Sequence, residues 1–416
     1  AYGYAQRGST YDGILAHYYS GTELGRASNR PVRVLLQASD PYVRFRGATR
    51  ASGGRRLSPS ATYVVRSARG GLALYRSRRG ADRRVTTYRR PFRVFRRGRA
   101  LRLLGGAING VPSGRYRGSL LMHAGAAGGV TAVNSLPVDD YIKGVVAGEM
   151  PSGWHMEALR AQAVAARTYG LATSKTDGGI FDQYPDTRSQ VYLGVKGETA
   201  RTNQAVADTA RQIVTYRGEI ATTFFFSTSG GRTEDVQNSF LGSEPQPYLR
   251  SVPDPYDGIS PKHRWRFRFS DAQLDSKLGA PGALRSVRVI KRGSSPRIVR
   301  ARVTGSRGST TLTGATIRAR LGLYDSWAYF TRVSSAQVRR RGAGASRSAV
   351  PELAGAIAPA PRSRLALVER RRGRGWKRVG AVELGRGGRF RTTVAVSGRY
   401  RVRSGRLAGP TVRVRD

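Results

Sequence analysis

The chain has 416 residues, 73 basic and 26 acidic side chains, a formal net charge of +47 and no cysteine. Its length suits two or three domains with a sizeable core. Disulfides, thiol catalysis and cysteine–zinc sites are excluded, and the 4 histidines show no paired spacing of the kind a zinc centre uses. No run approaches the roughly 18 uninterrupted apolar residues of a membrane span. The basic character is almost all arginine, 66 against 7 lysines. Arginine neutralises phosphate, yet these arginines are spread through every segment without an RNP, zinc-finger or helix-turn-helix pattern. No specific nucleic-acid function is expected; a field this positive favours anionic surfaces in general.

The chain opens with Ala and shows no charged-then-apolar leader, which reads as a processed or truncated product. Residues 1–30 hold one short helical pattern around Tyr11–Tyr19 and end in turn residues. From about residue 31 to Val133, short alternating runs such as "ATYVVRSA", "RRPFRVF" and "GSLLMHA" predict a β-rich region. "PVDDYIKGVVAG" then puts Pro137 and two acids at a helix start, where the dipole favours negative charge. Pro151 bars that helix from continuing through Met150. A second helix is expected over about 155–173, with Met156, Leu159, Ala163, Ala166 and Gly170 forming a buried stripe. "NQAVADTARQIVTYRGE" predicts a helix running into a strand, and "IATTFFFSTSGGRTED" a strand entering a Gly-Gly turn. Residues 336–363, rich in Ala, Gly and Pro, read as a linker. The tail, 364–416, predicts five strands, "LALVER", "WKRVGAVEL", "RFRTTVAV", "RYRVRSG" and "TVRVRD", with a small immunoglobulin-like sandwich as the economical arrangement.

Chemistry concentrates at the junction "GVVAGEMPSGW". Glu149 stands where a helix ends, among Val145, Val146, Met150 and Trp154. Burial by these neighbours raises a carboxyl pKa and lets it hold a proton near neutral pH, the tuning that glycosidase general acids use. Arg160 and Arg167, seven residues apart, share one face of the next helix. They are placed to hold polar substrate groups or to balance the charge of Glu149 after proton transfer. A capping acid beside solvated arginines is the plainer alternative. "STSGG" reads as a strand-to-turn element rather than a nucleophile motif, for want of a histidine partner. Tyr18, Tyr19, Phe224, Phe225 and Phe226 read as packing rather than sugar platforms.

The stretch "YIKGVVAGEMPSGWHMEALRAQAVAARTYGL" closely resembles the central motif of the SpoIID/LytB domain, a family named for stage II sporulation protein D and the LytB amidase enhancer. "DTRSQVYLG", "FFSTSGGRTEDVQNSF" and "PYLRSVPDPYD" match in the expected order, and "GATIRARLGLYDSWAYF" resembles the end of the core. The resemblance implies an α+β fold: a mixed catalytic core over residues 31–335 with a β-rich subdomain, followed by the all-β tail. It also implies a lytic transglycosylase cleaving glycan strands of peptidoglycan, preferably peptide-stripped, with 1,6-anhydro-muramic acid as product. The family's acid/base glutamate falls on Glu149, and its helix cations on Arg160 and Arg167. Gln190, Tyr192, Ser227, Ser229 and Asp254 match positions expected to line or support the groove. Peptidoglycan strands, anionic wall polymers and an amidase are the implied partners, and a secreted or wall-associated location is the implied setting. A non-catalytic wall-binding protein or amidase enhancer is the alternative reading. Some members bind zinc near "QVY" through Cys and His; "PDTRSQVYLG" has neither, so no metal or other cofactor is expected. In the family a "GHGVGMSQ"-type segment precedes a stretch that the opening "AYGYAQRGSTYDGILAHYYSGT" resembles. Residues 1–30 therefore read as the end of a permuted motif whose glycine–histidine portion is missing here.

Overall fold

A computed structural model describes residues 1–28, 30–78, 81–125, 128–174, 179–338, 351–405 and 407–415. The chain forms two compact units, one of residues 1–268 with 292–299, the other of 269–291 with 300–416. The mixed helix-and-sheet content is the expected α+β class. The division differs from the expected limits at 335 and 364, because residues 269–291 and 300–335 group with the tail.

The first unit is built on two antiparallel sheets. Five strands run in the order Pro31–Asp40, Val130–Pro137, Ser119–Ala124, Phe92–Phe95 and Arg50–Ala51. Six run in the order Arg115–Tyr116, Leu101–Leu104, Tyr42–Arg46, Thr62–Ala68, Gly71–Arg78 and Ala81–Tyr88. Their period-2 patterning is plain in "YVRFR", where Val43 and Phe45 are buried and the three flanking residues are exposed. Both sheets and the helices share one apolar core.

Residues 1–28 belong to this unit. Helix α1 (Tyr2–Ala5) and helix α2 (Tyr11–Tyr18) contribute Ala5, Ile14 and Leu15 to the core. Glu23–Arg26 then pairs antiparallel with Gln212–Tyr216, completing a small third sheet. The segment read as the end of a permuted motif thus packs into the first unit.

Helix α3 (Val138–Glu149) follows the strand Val130–Pro137, with Asp139 and Asp140 in its first turn. It stops where expected: Met150 is extended (φ −141°, ψ 135°), the conformation a following proline imposes. Helix α4 (Met156–Ala172) is buried on almost every side from Ala158 to Leu171. That exceeds the single stripe read from its spacing. Helices α1, α2 and α3, helix α5 (Ala200–Asp208) and the strand Gln212–Tyr216 all pack on it. The run of alanines keeps α4 thin enough for five neighbours.

Two expectations need correction. "ATTFFFSTS" is not a strand; only Glu219–Ile220 pairs before it, and residues 221–226 are irregular. Side chains remote in sequence take up its backbone: Thr222 N–H donates to Tyr248 Oη (3.1 Å), and Phe224 C=O accepts from Tyr19 Oη (3.0 Å). The stretch 336–363 also contains a strand, Glu352–Ala358, paired on both sides; its residues 339–350 lie outside the described residues.

In the second unit, the helix Asp271–Leu278 carries a Ser270/Gln273 capping box and ends at the left-handed Gly279. Leu284–Arg292, Ile298–Gly305 and Gly308–Thr313 form a three-stranded sheet, all but Arg292, Ile298 and Val299 within this unit, followed by the helix Gly314–Leu321. All five tail strands form, in two antiparallel sheets. One is Arg332–Val338, Glu352–Ala358 and Arg389–Thr393. The other centres on Gly375–Glu383, Leu365–Arg372 and Gly398–Ser404, with Leu407–Ala408 and Val412–Val414 beyond. Leu353, Ile357 and Phe390 from the first sheet share a core with Val368, Tyr400 and Val402 from the second.

The segment Gln190–Gly194 crosses α3 at close range. Leu193 N–H donates to Gly144 C=O (3.0 Å), and a Cβ on Gly144 would stand 2.5 Å from the buried Tyr192 ring. Gly144→Ala should therefore cost about 1–3 kcal/mol through overpacking, exceeding the roughly 1 kcal/mol helix-propensity gain. Gly153→Ala, which meets open space, should be near neutral. Urea unfolding of the two variants checks this; equal stabilities would contradict it.

Candidate functional site

Glu149 is the last residue of α3 and is half-buried. Its Oε1 accepts a hydrogen bond from Val191 N–H at 2.8 Å. Gly148 favours that approach: a Cβ there would meet Val191 C=O at 3.1 Å, so a larger residue would press the crossing segment outward by a few tenths of an ångström. Burial raises the Glu149 pKa above the ordinary carboxyl range, and the Val191 N–H opposes the rise without cancelling it. The negative end of the α3 dipole acts in the same direction as burial. Among the described residues no cation forms an ion pair with Glu149. The phenols of Tyr141 and Tyr169 feel its charge, which adds to the rise burial gives their own pKa values.

The two arginines do face one way, but toward α5 and the start of α3. Arg167 has no exposed surface. Its Nε donates to Asp139 Oδ1 at 2.6 Å, Nη1 to Gln212 C=O at 3.0 Å and to Ala163 C=O at 3.4 Å, and Nη2 to Val206 C=O at 3.3 Å. Burial lowers its pKa, while Asp139 pulls it back up. A guanidinium so enclosed has nothing to offer a ligand. Arg160 is half-buried and binds Asp208 Oδ2 through Nη2 (2.6 Å) and Nε (2.9 Å), and Glu157 through Nη1. Those carboxylates raise its pKa. Both arginines staple α5 to α4, so the expectation that they would balance Glu149 directly gives way to a supporting role.

The remaining candidates divide into two groups. Gln190 is buried and donates through Nε2 to Ala166 C=O (3.1 Å). Tyr192 is buried beside Tyr116 and Tyr141, with its hydroxyl on Asn134 Oδ1 at 2.7 Å. These two anchor the segment that carries Val191. The second group is a separate network: Ser229 Oγ donates to Asp254 Oδ2 (2.8 Å), while Ser229 N–H and Gly230 N–H donate to Asp257 (2.7 and 2.9 Å). His263 Nδ1 lies 2.6 Å from Asp257 Oδ2. Ser227 is exposed and touches only Thr228 through its hydroxyl among the described hydrogen bonds. No described hydrogen bond or ion pair joins this network to Glu149.

Of the aromatic residues read as packing, Tyr19 is buried and Phe224 stacks on Phe240 (4.7 Å), whereas Phe226 is 57% exposed. Sequence reading misses three features at Glu149. Val191 acts through its backbone and leaves no side-chain signature. Tyr141 and Tyr169 carry no spacing cue that separates them from core aromatics.

Residues 126–216, which contain Glu149, both arginines, Gln190 and Tyr192, match the SpoIID family model, described as Stage II sporulation protein. The chain is 34% identical over 213 residues to the Stage II sporulation protein D of Bacillus subtilis (strain 168), covering 46% of this chain and 60% of that protein. It is 38% identical over 137 residues to the Amidase enhancer of the same organism, covering 33% of this chain and 18% of that protein. An uncharacterized protein of Brachyspira hyodysenteriae is 38% identical over 150 residues, 39% of its length. The chain thus resembles the SpoIID/LytB family, and it spans from under a fifth to three-fifths of these relatives.

Arg167→Ala should destabilise the first unit by about 3–5 kcal/mol, because it strands Asp139 and three buried carbonyls. Arg160→Ala, at a partly exposed pair, should cost about 1 kcal/mol or less. Denaturant unfolding measures both; a mild Arg167→Ala would contradict the buried-staple assignment.

Proposed function

We propose that this chain acts on the bacterial cell wall as a lytic transglycosylase, with Glu149 as its single acid and base. The observation that carries the reading is the state of Glu149. It is a partly desolvated carboxyl with a raised pKa, without a cationic partner among the described residues, inside the segment that matches the family. Ordinary glycoside hydrolysis normally uses two carboxylates, one of which activates water or attacks the sugar. Transglycosylation needs only one.

Protonated Glu149 gives its proton to the glycosidic oxygen between N-acetylmuramic acid and N-acetylglucosamine as the C1–O bond breaks. The muramyl C6 hydroxyl then bonds to C1, and the Glu149 carboxylate takes its proton. A 1,6-anhydro ring forms, no water is consumed, and the acid is regenerated. Val191 N–H is the group available to stabilise the transient carboxylate. Arg167, Gln190 and Tyr192 support the helix and the crossing segment; Ser229 and Asp254 order a separate loop, and Ser227 is the exposed polar group on it. Peptide-stripped strands are the proposed substrate and a secreted or wall-associated setting the proposed location. The two-sheet tail is taken as an immunoglobulin-like accessory domain, a reading its shared core supports.

A second reading is a non-catalytic wall-binding protein that enhances an amidase. The likeness to the Amidase enhancer favours it, as does the engagement of Arg160 and Arg167 with carboxylates other than Glu149.

Mass analysis of products from peptide-stripped glycan strands tests both. The proposal requires ends one water lighter than hydrolysis products, and Glu149→Gln should lower turnover at least ~100-fold, the low end of general acid catalysis. Because cleavage needs the protonated acid, the rate should fall as pH rises through a Glu149 pKa above the ordinary ~4.3. Reducing ends alone would sink the transglycosylase reading. Binding without cleavage would favour the second.

A further inference from the structure

The outer face of the larger tail sheet is a ladder of arginines. In the register, Glu369 stands opposite both Arg378 and Arg401, and Arg371 stands opposite Trp376. Leu367 faces Arg403, and Arg399 faces Arg413. The alternate residues Val368, Tyr400, Val402 and Val414 point into the core, so Arg371, Arg378, Arg399, Arg401, Arg403 and Arg413 lie together on the opposite side. Among the described residues one acid sits amid these arginines. Glu369 is buried and binds Arg401 Nε and Arg403 Nε, each at 2.7 Å. Glu383 stands at the far end of the face, opposite Leu365. Among the described residues Arg371, Arg378, Arg399 and Arg413 make no ion pair, and all four are exposed.

We propose that this face binds a linear phosphodiester polymer of the cell wall. Arg399, Arg401 and Arg403 alternate along one strand and so recur about every 6.6–6.8 Å, while Arg371, Arg378 and Arg413 lie on the other strands of the sheet, with about 4.8 Å from each strand to the next. That spacing is close to the repeat of an extended glycerol-phosphate chain, and a guanidinium fork matches phosphate oxygens in pairs. Glu369 orients two of the forks without neutralising the rest. Single-stranded nucleic acid fits less well. Such binding draws on free aromatic platforms, and the ring of Trp376 is already engaged by Arg401 at 4.3 Å and Arg371 at 5.6 Å. The inference rests on the wall-directed reading only for the origin of the polymer.

The experiment uses the full chain and synthetic poly(glycerol phosphate), titrated from about 50 to 300 mM salt. Replacing Arg371, Arg378, Arg399 and Arg413 together by Gln should weaken binding at least tenfold near 0.15 M salt. It should also lower the salt slope by about 3, at ~0.7 for each phosphate no longer neutralised. A control variant changes Arg83, Arg84, Arg89 and Arg90, four exposed arginines of the first unit, to Gln. It removes the same charge and should change binding less than threefold. Cleavage of short neutral glycans by the face variant should stay at the wild-type level, so failure of the transglycosylase reading would show there and not in polymer binding. Equal losses in the two variants would mean diffuse attraction and overturn the assignment, as would no loss in the face variant. Tighter binding of oligo(dT) than of poly(glycerol phosphate) at equal phosphate number, lost in the face variant, would make this a nucleic-acid surface and also overturn it.

Discussion

Arg167 carries a positive charge into a place with no exposed surface, and the first unit is arranged around meeting its demands. Its donors reach the first turn of α3, an earlier turn of α4, the last turn of α5 and the start of the strand Gln212–Tyr216. Two of these acceptors sit where a cation is wanted. Val206 C=O is among the terminal carbonyls of α5 that lack helical partners, and Asp139 lies at the positive end of α3, where an acid belongs. A buried charge is costly unless every such contact is kept. The four elements therefore cannot slide past one another without leaving the guanidinium unpaired.

That constraint reaches Glu149 through α3. Asp139 and Glu149 occupy opposite ends of the same 12-residue helix, so fixing one end fixes the other. The other half of the site comes from the crossing segment. Gly144 and Gly148 let it approach, Gln190 and Tyr192 anchor it, and Val191 N–H meets the carboxyl. The arginines on α4 thus act at a distance, by holding a scaffold. Among the described residues Glu149 is left without a direct counter-charge, so nothing but the Val191 N–H opposes the rise that burial gives its pKa.

Much of this is legible in the sequence. The end of α3 follows from Met150–Pro151, the burial of Glu149 from its apolar neighbours, and the tail strands from alternation between glycine turns. The shared face of Arg160 and Arg167 follows from their spacing as well. What spacing does not reveal is what covers a face: Asp208 and Val206 lie 48 and 39 residues beyond Arg160 and Arg167. The same limit explains the irregular segment after Ile220, whose alternation and aromatics predict a strand. Tyr19, 205 residues away, satisfies its backbone instead of a neighbouring strand. Residues 1–28 look like a remnant in sequence because their partners, Arg211 and the strand Gln212–Tyr216, are also far away along the chain. Val191 is invisible for another reason, since any residue other than proline supplies an N–H.

The central claim is that burial and the helix end raise the Glu149 pKa by more than one backbone hydrogen bond lowers it. Carbon-13 NMR titration of glutamate side-chain carboxyls, with the Glu149 signal assigned by its loss in Glu149→Gln, measures this directly. The expected midpoint lies above the ordinary ~4.3 of a glutamate, with a further upward shift when the Cβ of Gly148→Ala crowds Val191 and loosens its N–H bond to the carboxyl. A midpoint at or below the ordinary value would contradict it.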